Sequence, residues 1–244
     1  MKGSLMTTKN DLGQPVGTPL PEGWCPPLIP KRPTLTGRTV TVEPLKADQH
    51  GPDLFSAFSH DETGAGWTYM ANGPYDSLDD FMVWLRGAET SSDPMFFAYR
   101  NAKSGQAIGY GSLMRIDAPM ATIEIGNIRM SPLLQRTTMS TEAVYLKAEH
   151  IFKLGYRRLE WKCDHLNLPS RGAADRLGFT FEGIFRKAMH YKGRSRDTAW
   201  YAITDDEWPA IRQAHLTWLA KKNFDADGIQ KQRLSDLVSA ARNR

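Results

Sequence analysis

The stretch SPLLQRTTMSTEA, from Ser131 to Ala143, lies between a strand-like run and a helix-like run. The first backbone N–H groups of a helix have no partner within it and sit at its positive dipole end, so a strand-loop-helix junction is a ready cradle for phosphate or diphosphate. Each charge-assisted bond there is worth about 1.5–3 kcal/mol net, and several together hold a diphosphate. Gln135 and Arg136 add side-chain donors, and Thr137, Thr138 and Ser140 add hydroxyls. Read by type alone, the segment is first of all a plain loop before an N-capped helix.

Other side chains with chemical potential are scattered further along. Glu124, Glu160 and Asp164 supply carboxylates within strand-like runs, and His190 supplies an imidazole, a common general base. Asn167 and Ser170 stand in NLPS, where their types favour turns and helix starts. Trp67, Tyr69 and Tyr75 belong to an aromatic, glycine-containing loop. Arg157, Arg158, Arg171, Arg186, Lys187, Lys192, Arg194 and Arg196 give the later half of the core a basic character; as single residues they read as a solvated face. Cys163 alternates with Leu159 and Trp161, which marks it as a small buried apolar group.

The elements that must position these groups follow from periodicity. Val40 and Val42 alternate within GRTVTVEPL, a first strand. Leu54, Phe55 and Phe58 have helical spacing, and a second helix begins in DSLDDFMVWLRGA with Asp76 or Ser77 as cap. MFFAYR, AIGYGSLMRI and ATIEIGNIRM are strand-like runs joined by turn signals, an antiparallel meander. Thr141 to Leu154 is helical and stops at Gly155. A strand through RLEWKCDH, a short helix between Pro169 and Gly178, and two strands around FTFEGIF and DTAWYAI complete the core. Two further helices, Glu207 to Lys222 and Gly228 to Arg242, read as an added cap. The order predicts an α/β (α+β) fold on one mixed, mostly antiparallel sheet flanked by helices. Residues 1–35 form a proline-rich N-terminal arm, residues 36–205 the domain, and residues 206–244 a C-terminal helical extension. The prolines between Gln14 and Pro33 forbid helix, leaving either an extended arm pinned by Trp24 or an unstructured leader.

The bulk composition bounds the function. The chain has 244 residues, 41% hydrophobic and 24% charged, and no apolar run approaches the roughly 18 residues of a membrane span. No signal-peptide pattern opens the chain, so a cytoplasmic protein without membrane association is expected. Two cysteines cannot build a disulfide framework or a cysteine metal site, and no metal is expected. A net charge of +4 is too mild to argue for nucleic acid.

SPLLQRTTMSTEA resembles the coenzyme A loop of the GNAT N-acetyltransferases, Gln/Arg-x-x-Gly-x-Gly/Ala, with Gln135 first and TEA following as in the RimJ/RimL-like (ribosomal-protein-alanine acetyltransferase-like) branch. The resemblance extends through EIGNIRMSP before it and YRRLEWKCDHLNLPSRGAADRLGFTFEG after it, covering about Gly37 to Trp208. The family glycines fall on Thr138 and Ser140, so the loop either takes ordinary dihedrals with its hydroxyls in the cradle or binds the coenzyme more weakly.

The resemblance implies the acyl-CoA N-acyltransferase fold and transfer of an acetyl group from acetyl-CoA to a primary amine by direct attack in a ternary complex. Ile128 and Met130 match the residues whose amides receive the pantetheine arm and thioester on a strand splayed from its neighbour. Gln135, Arg136, Thr137, Thr138, Met139 and Ser140 match the diphosphate loop; Asn167 matches the coenzyme-arm ligand, and Ser170 the proton donor to the thiolate. The glutamate of RimL-type enzymes falls on Met189, which leaves Glu124, acting through water, or His190 as the base. Trp67, Tyr69 and Tyr75 would line the acceptor side, the acceptor being a protein N-terminus or a small amine, and a homodimer is compatible with the branch. The competing reading is a non-catalytic acyl-CoA sensor on the same fold; a nucleic-acid-binding role would rest on the basic hairpin alone.

Overall fold

The computed structural model describes residues 7–242, so the first six residues of the expected arm lie outside the described residues. The arm opens with a hairpin of β1 (Thr7–Lys9) and β2 (Pro15–Gly17). What ties the arm to the domain is polar. Tyr156 donates its hydroxyl to the Leu28 carbonyl at 3.3 Å, and Arg32 donates to the carbonyls of Glu89 and Ser91. Trp24 is only half-buried, while Leu28 and Ile29 are exposed between buried Pro27 and Pro30.

The domain proper runs β3 (Leu35–Thr36), β4 (Val40–Pro44), α1 (Ala47–Ser59), α2 (Leu78–Thr90), β5 (Met95–Asn101), β6 (Ala107–Asp117), β7 (Thr122–Met130), α3 (Thr138–Lys153), β8 (Arg158–Asp164), α4 (Leu168–Leu177), β9 (Thr180–Tyr191) and β10 (Arg194–Thr204). The extension adds α5 (Trp208–Leu219) and α6 (Leu234–Arg242). Eight strands form one sheet in the order β3-β4-β5-β6-β7-β8-β10-β9, antiparallel except where β7 meets β8. The sheet is mixed and mostly antiparallel, with a helical layer on each side.

Alternation along β5 shows how the layers form. Phe96 and Ala98 face a cluster with Leu54, Phe58, Phe81 and Leu85 from α1 and α2. Met95, Phe97 and Tyr99 face the opposite cluster, with Val144, Ala148 and Ile151 of α3. Each large apolar side chain so buried contributes about 1.5–3 kcal/mol. Helix ends follow the local chemistry. Ser77 caps α2 by accepting the Asp80 amide at 3.1 Å, and Gly155 and Gly178, at φ 91° and 98°, stop α3 and α4. Glu142 fastens α3 to the β3–β4 turn by accepting the amides of Arg38 and Thr39 at 2.8 and 2.7 Å.

Four boundaries differ from expectation, one being α5, which ends at Leu219 rather than Lys222. The last two strands run to 12 and 11 residues, because the β9–β10 pairing continues through the basic hairpin. Helix α3 begins at Thr138, three residues early, because Thr137 is its cap. The final helix begins at Leu234 rather than Gly228; the preceding residues form a turn in which Phe224 bridges Gln230.

Candidate functional site

Strands β7 and β8 pair in parallel over only three rungs, Thr122 with Arg158, Ile123 with Leu159 and Glu124 with Glu160. Beyond Glu124 they diverge, so the edge of β7 toward Met130 has no ladder partner on that side. Main-chain donors on such an edge stay available to a ligand. The fork opens a cleft of about 860 Å³ bounded by β7, the 135–140 loop, α4 and part of the C-terminal extension.

An irregularity in β7 decides what faces this cleft. Tyr110 pairs with Arg129 and Ser112 with Gly126, so β7 carries one extra residue between those rungs, and Asn127 takes the strain at φ 49°. The Asn127 amide bonds Ser112 Oγ at 3.2 Å. After the bulge, Ile128 and Met130 lie against the α3 side, as Ile123 and Ile125 do, while Arg129 turns to the α1–α2 side. Arg129, 2% exposed, is held between the rings of Phe58 and Trp67 at 4.9 and 4.5 Å, pairs with Asp61 at 2.8 Å and donates to the Met130 carbonyl at 2.7 Å. Burial works against the Asp61 carboxylate, but the Gly66 amide and Arg129 hold its pKa below the ordinary value.

The loop after β7 takes its single positive φ at Arg136, 59°, while Thr137 is extended and Thr138 and Ser140 are helical. No glycine is needed at Thr138 or Ser140. The amides of Arg136, Thr138 and Met139 find no acceptor among the described residues. The hydroxyls contribute less than expected. Thr137 donates to the Leu134 carbonyl and Ser140 to the Thr137 carbonyl, both at 2.7 Å, which leaves Thr138 alone uncommitted. Gln135 also turns inward, its Nε2 donating to the Met130 carbonyl at 2.9 Å, so it ties the loop to the strand. Met139 packs against the core and does not line the cleft, because it follows the helical turn away from it.

Across the cleft, Asn167 caps α4 by accepting the Ser170 amide at 3.1 Å. Ser170 Oγ accepts from Trp161 Nε1 at 3.1 Å, a bond that does not use the hydroxyl proton, and the Cys163 sulfur is its other neighbour. Ile128, Met130, Gln135, Arg136, Thr137, Thr138, Ser140, Asn167 and Ser170 are thus brought to one cleft.

The other expected residues lie elsewhere. Glu124, 5% exposed, sits on the last rung before the fork but does not line the cleft. It faces Lys162 at 3.2 Å and Arg115 at 3.6 Å, not Arg129, which lies farther along the strand and pairs with Asp61. Burial lifts its pKa, with Lys162 opposing. His190 is exposed on the sheet's edge strand β9 and is not part of the cleft, and Met189 beside it is 50% exposed. Trp67 and Tyr75 are packed edge to face in the aromatic cluster, so their rings serve packing rather than a pocket wall. Tyr69 donates its hydroxyl to the Leu166 carbonyl at 3.2 Å, linking the aromatic loop to the loop before α4. Lys192 donates to the Trp67 carbonyl at 2.8 Å, so part of the basic hairpin is engaged within the fold.

Sequence reading missed Trp161, Arg176, Trp218, Phe224 and the Gly228–Gln230 turn, all of which line the cleft. Pro169, Ala173 and Arg176 share a helix face at i, i+4, i+7, a spacing that was readable. The turn carried no such signal. Among the described residues no cluster of three or more His, Cys, Asp or Glu is placed to hold a metal, and no helix is long and apolar enough to cross a membrane.

Comparison with known proteins places this geometry in a family. A sequence profile described as an acetyltransferase (GNAT) domain matches residues 39–180. A GCN5-related N-acetyltransferase from Brucella melitensis is similar at 45% identity and TM-score 0.87, over 89% of this chain and 99% of its own. A probable acetyltransferase of the GNAT family from Chromobacterium violaceum is similar at 38% identity and TM-score 0.74, over 80% and 97%. The microcin C7 self-immunity acetyltransferase MccE, solved with acetyl-CoA and AMP, shares the fold at 20% identity and TM-score 0.60, over 69% and 93%. A search of curated proteins gave no match.

Proposed function

The chain belongs to the GNAT acetyltransferase family, and we propose that it acts in the RimJ/RimL-like branch, acetylating a primary amine of a protein N-terminus or small molecule within a ternary complex with acetyl-CoA. The observation that carries this reading is the fork beyond Glu124, which opens beside an N-terminal helical turn with three uncommitted amides. That donor set fits an acyl-CoA: amides for a diphosphate, an open strand edge for an amide-rich arm, and a hydroxyl at the inner end.

In this reading the free β7 edge at Ile128 and Met130 aligns the pantetheine arm and polarises the thioester oxygen. The amine nitrogen bonds to the carbonyl carbon, the C–S bond breaks, and Ser170 gives its proton to the departing thiolate, its own proton being replaced by the one that the acylated nitrogen sheds. Glu124, through water, takes the proton shed by the ammonium; its burial, which raises its pKa, suits a group that must both hold and release a proton. Arg129 positions the strand by holding the Met130 carbonyl and, through Asp61, the loop that carries Gly66 on the cleft wall.

A thiol-release assay with acetyl-CoA across N-terminal peptides and small amines tests the proposal. Release that depends on an amine supports transfer. Tight acetyl-CoA binding without release for any amine would favour an acyl-CoA sensor.

A further inference from the structure

The cleft extends beyond the diphosphate loop to an outer end walled by Trp218, Phe224 and the Gly228–Gln230 turn, all from the C-terminal extension. The turn is held by its own hydrogen bonds. Asp225 Oδ1 accepts the amides of Asp227 and Ile229 at 3.0 and 2.8 Å, and Gly228 takes the left-handed φ of 79°. Buried Asn223 braces the segment through the Trp218 and Gln232 carbonyls and the Gln232 amide, at 3.0, 3.2 and 3.0 Å. Fixed in this way, the turn leaves Ile229 63% exposed at the cleft rim, an apolar surface the core does not use. Gln230 Oε1 accepts from Trp218 Nε1 at 2.7 Å; because indole can only donate, the amide orientation is set, and the two Nε2 protons remain for another partner.

Against this wall stands Arg176. Its guanidinium donates to Thr141 Oγ1 at 2.9 Å and lies over the Trp218 ring at 5.1 Å. Among the described residues no carboxylate lies within ion-pairing distance of it, unlike Arg129, Arg157, Arg158 and Arg212. A partly buried cation without a counter-ion, beside the first turns of α3, calls for an anion from outside the chain. Coenzyme A carries two kinds: a diphosphate in mid-molecule and a phosphomonoester on the ribose beyond it. With the thioester at the fork and the diphosphate at the 136–139 amides, the remaining length of cleft meets the adenosine end.

We propose that the segment Trp218–Gln230 is a wall of the coenzyme cleft that encloses the adenosine of acyl-CoA, and that Arg176 pairs with its 3′-phosphate. This rests on reading the cleft as the acetyl-CoA site. Ile229 supplies apolar contact for the adenosine, Gln230 Nε2 supplies donors, and Arg176 makes the enzyme prefer coenzyme A to its dephosphorylated form.

The test compares kcat/KM for acetyl-CoA, acetyl-dephospho-CoA and acetyl-pantetheine. The wild type is expected to prefer acetyl-CoA to acetyl-dephospho-CoA by about tenfold or more, the worth of one charge-assisted contact. Arg176→Gln should bring that ratio toward one. Equal loss with both donors would overturn the assignment of Arg176. Ile229→Asp, a substitution at an exposed site outside the core, should raise KM for acetyl-CoA more than for acetyl-pantetheine, which lacks the nucleotide. No change, or an equal rise with both, would overturn the wall. If wild-type protein neither binds acetyl-CoA nor uses any of the donors, it is the underlying coenzyme reading that fails.

Discussion

Glu124 Oε2 and Lys162 Nζ lie 3.2 Å apart at the mouth of the β7–β8 fork, with Glu160 holding the same ammonium at 2.5 Å. Lys162 also sits 3.5 Å from the centre of the Trp200 ring. Two carboxylates therefore share one cation in a nearly dry setting, and the one deeper in the sheet, Glu124, has its proton affinity raised while Glu160 has it lowered. Such divergence between neighbouring acids is the arrangement by which proton-transfer roles are divided.

Glu124→Gln keeps the shape and removes the basicity. It is expected to lower turnover at neutral pH by about 10²–10⁴-fold, the usual contribution of a general base, with partial recovery at high pH as free amine accumulates. An unchanged pH–rate profile would assign the proton to solvent or to another group.

Thr138→Pro tests the anion cradle with little strain. Thr138 is the first residue of α3, where proline is well tolerated, and the extended Thr137 before it already has the backbone that proline requires. The substitution deletes one free amide and should weaken acetyl-CoA binding by about ten- to a hundredfold while leaving the melting temperature nearly unchanged. Calorimetric titration showing wild-type affinity would remove this amide from the site.

Ser170→Ala should reduce kcat more than it weakens acetyl-CoA binding, because a proton given to the thiolate matters chiefly in the transition state. The Trp161 indole loses its acceptor in this variant, so a thermal melt is needed beside the kinetics. Equal losses in kcat and affinity would make Ser170 a structural residue.

Lys147 is fully buried, donates to the Tyr99 hydroxyl at 2.6 Å, and has its pKa brought down by burial to about 7. Below about pH 7 the lysine is protonated in both folded and unfolded chains and its full desolvation cost is felt. Between there and the ordinary lysine value the unfolded chain holds a proton that the folded chain does not, so stability rises with pH by about 1.4 kcal/mol per unit. The stability of Lys147→Met relative to wild type should therefore be greatest at about pH 6 and decline toward about pH 9, as read by urea denaturation. A pH-independent difference would show that the lysine keeps its ordinary proton affinity.

Local signals made much of this fold legible. Val40 and Val42 announced their strand, Ser77 its helix start, and Gly155 and Gly178 their helix ends, because each is decided by neighbours within a few residues. The strand-loop-helix junction from Ser131 to Ala143 was legible for the same reason. The ion pairs of Glu124 were not, since its partners Lys162 and Arg115 are brought to it by strand pairing across the sheet. Trp67 and Tyr75 carried ligand-like types but are consumed by a cluster of rings from α1, α2 and β6. Arg176 and Gln230 meet only through the placement of the C-terminal segment, which no periodicity encodes.

The single extra residue at Asn127 divides β7 into two stretches of opposite phase. An odd–even rule read along Thr122–Gly126 assigns every later side chain to the wrong face, whereas removal of the one extra residue would restore plain alternation with Arg129 still on its own side of the sheet. Relatives should therefore be aligned separately on each side of this position. A homologue that lacks the bulge would be expected to carry its arginine one place earlier or to have lost the Asp61 partner with it, which makes the two positions a covarying pair to look for across the family.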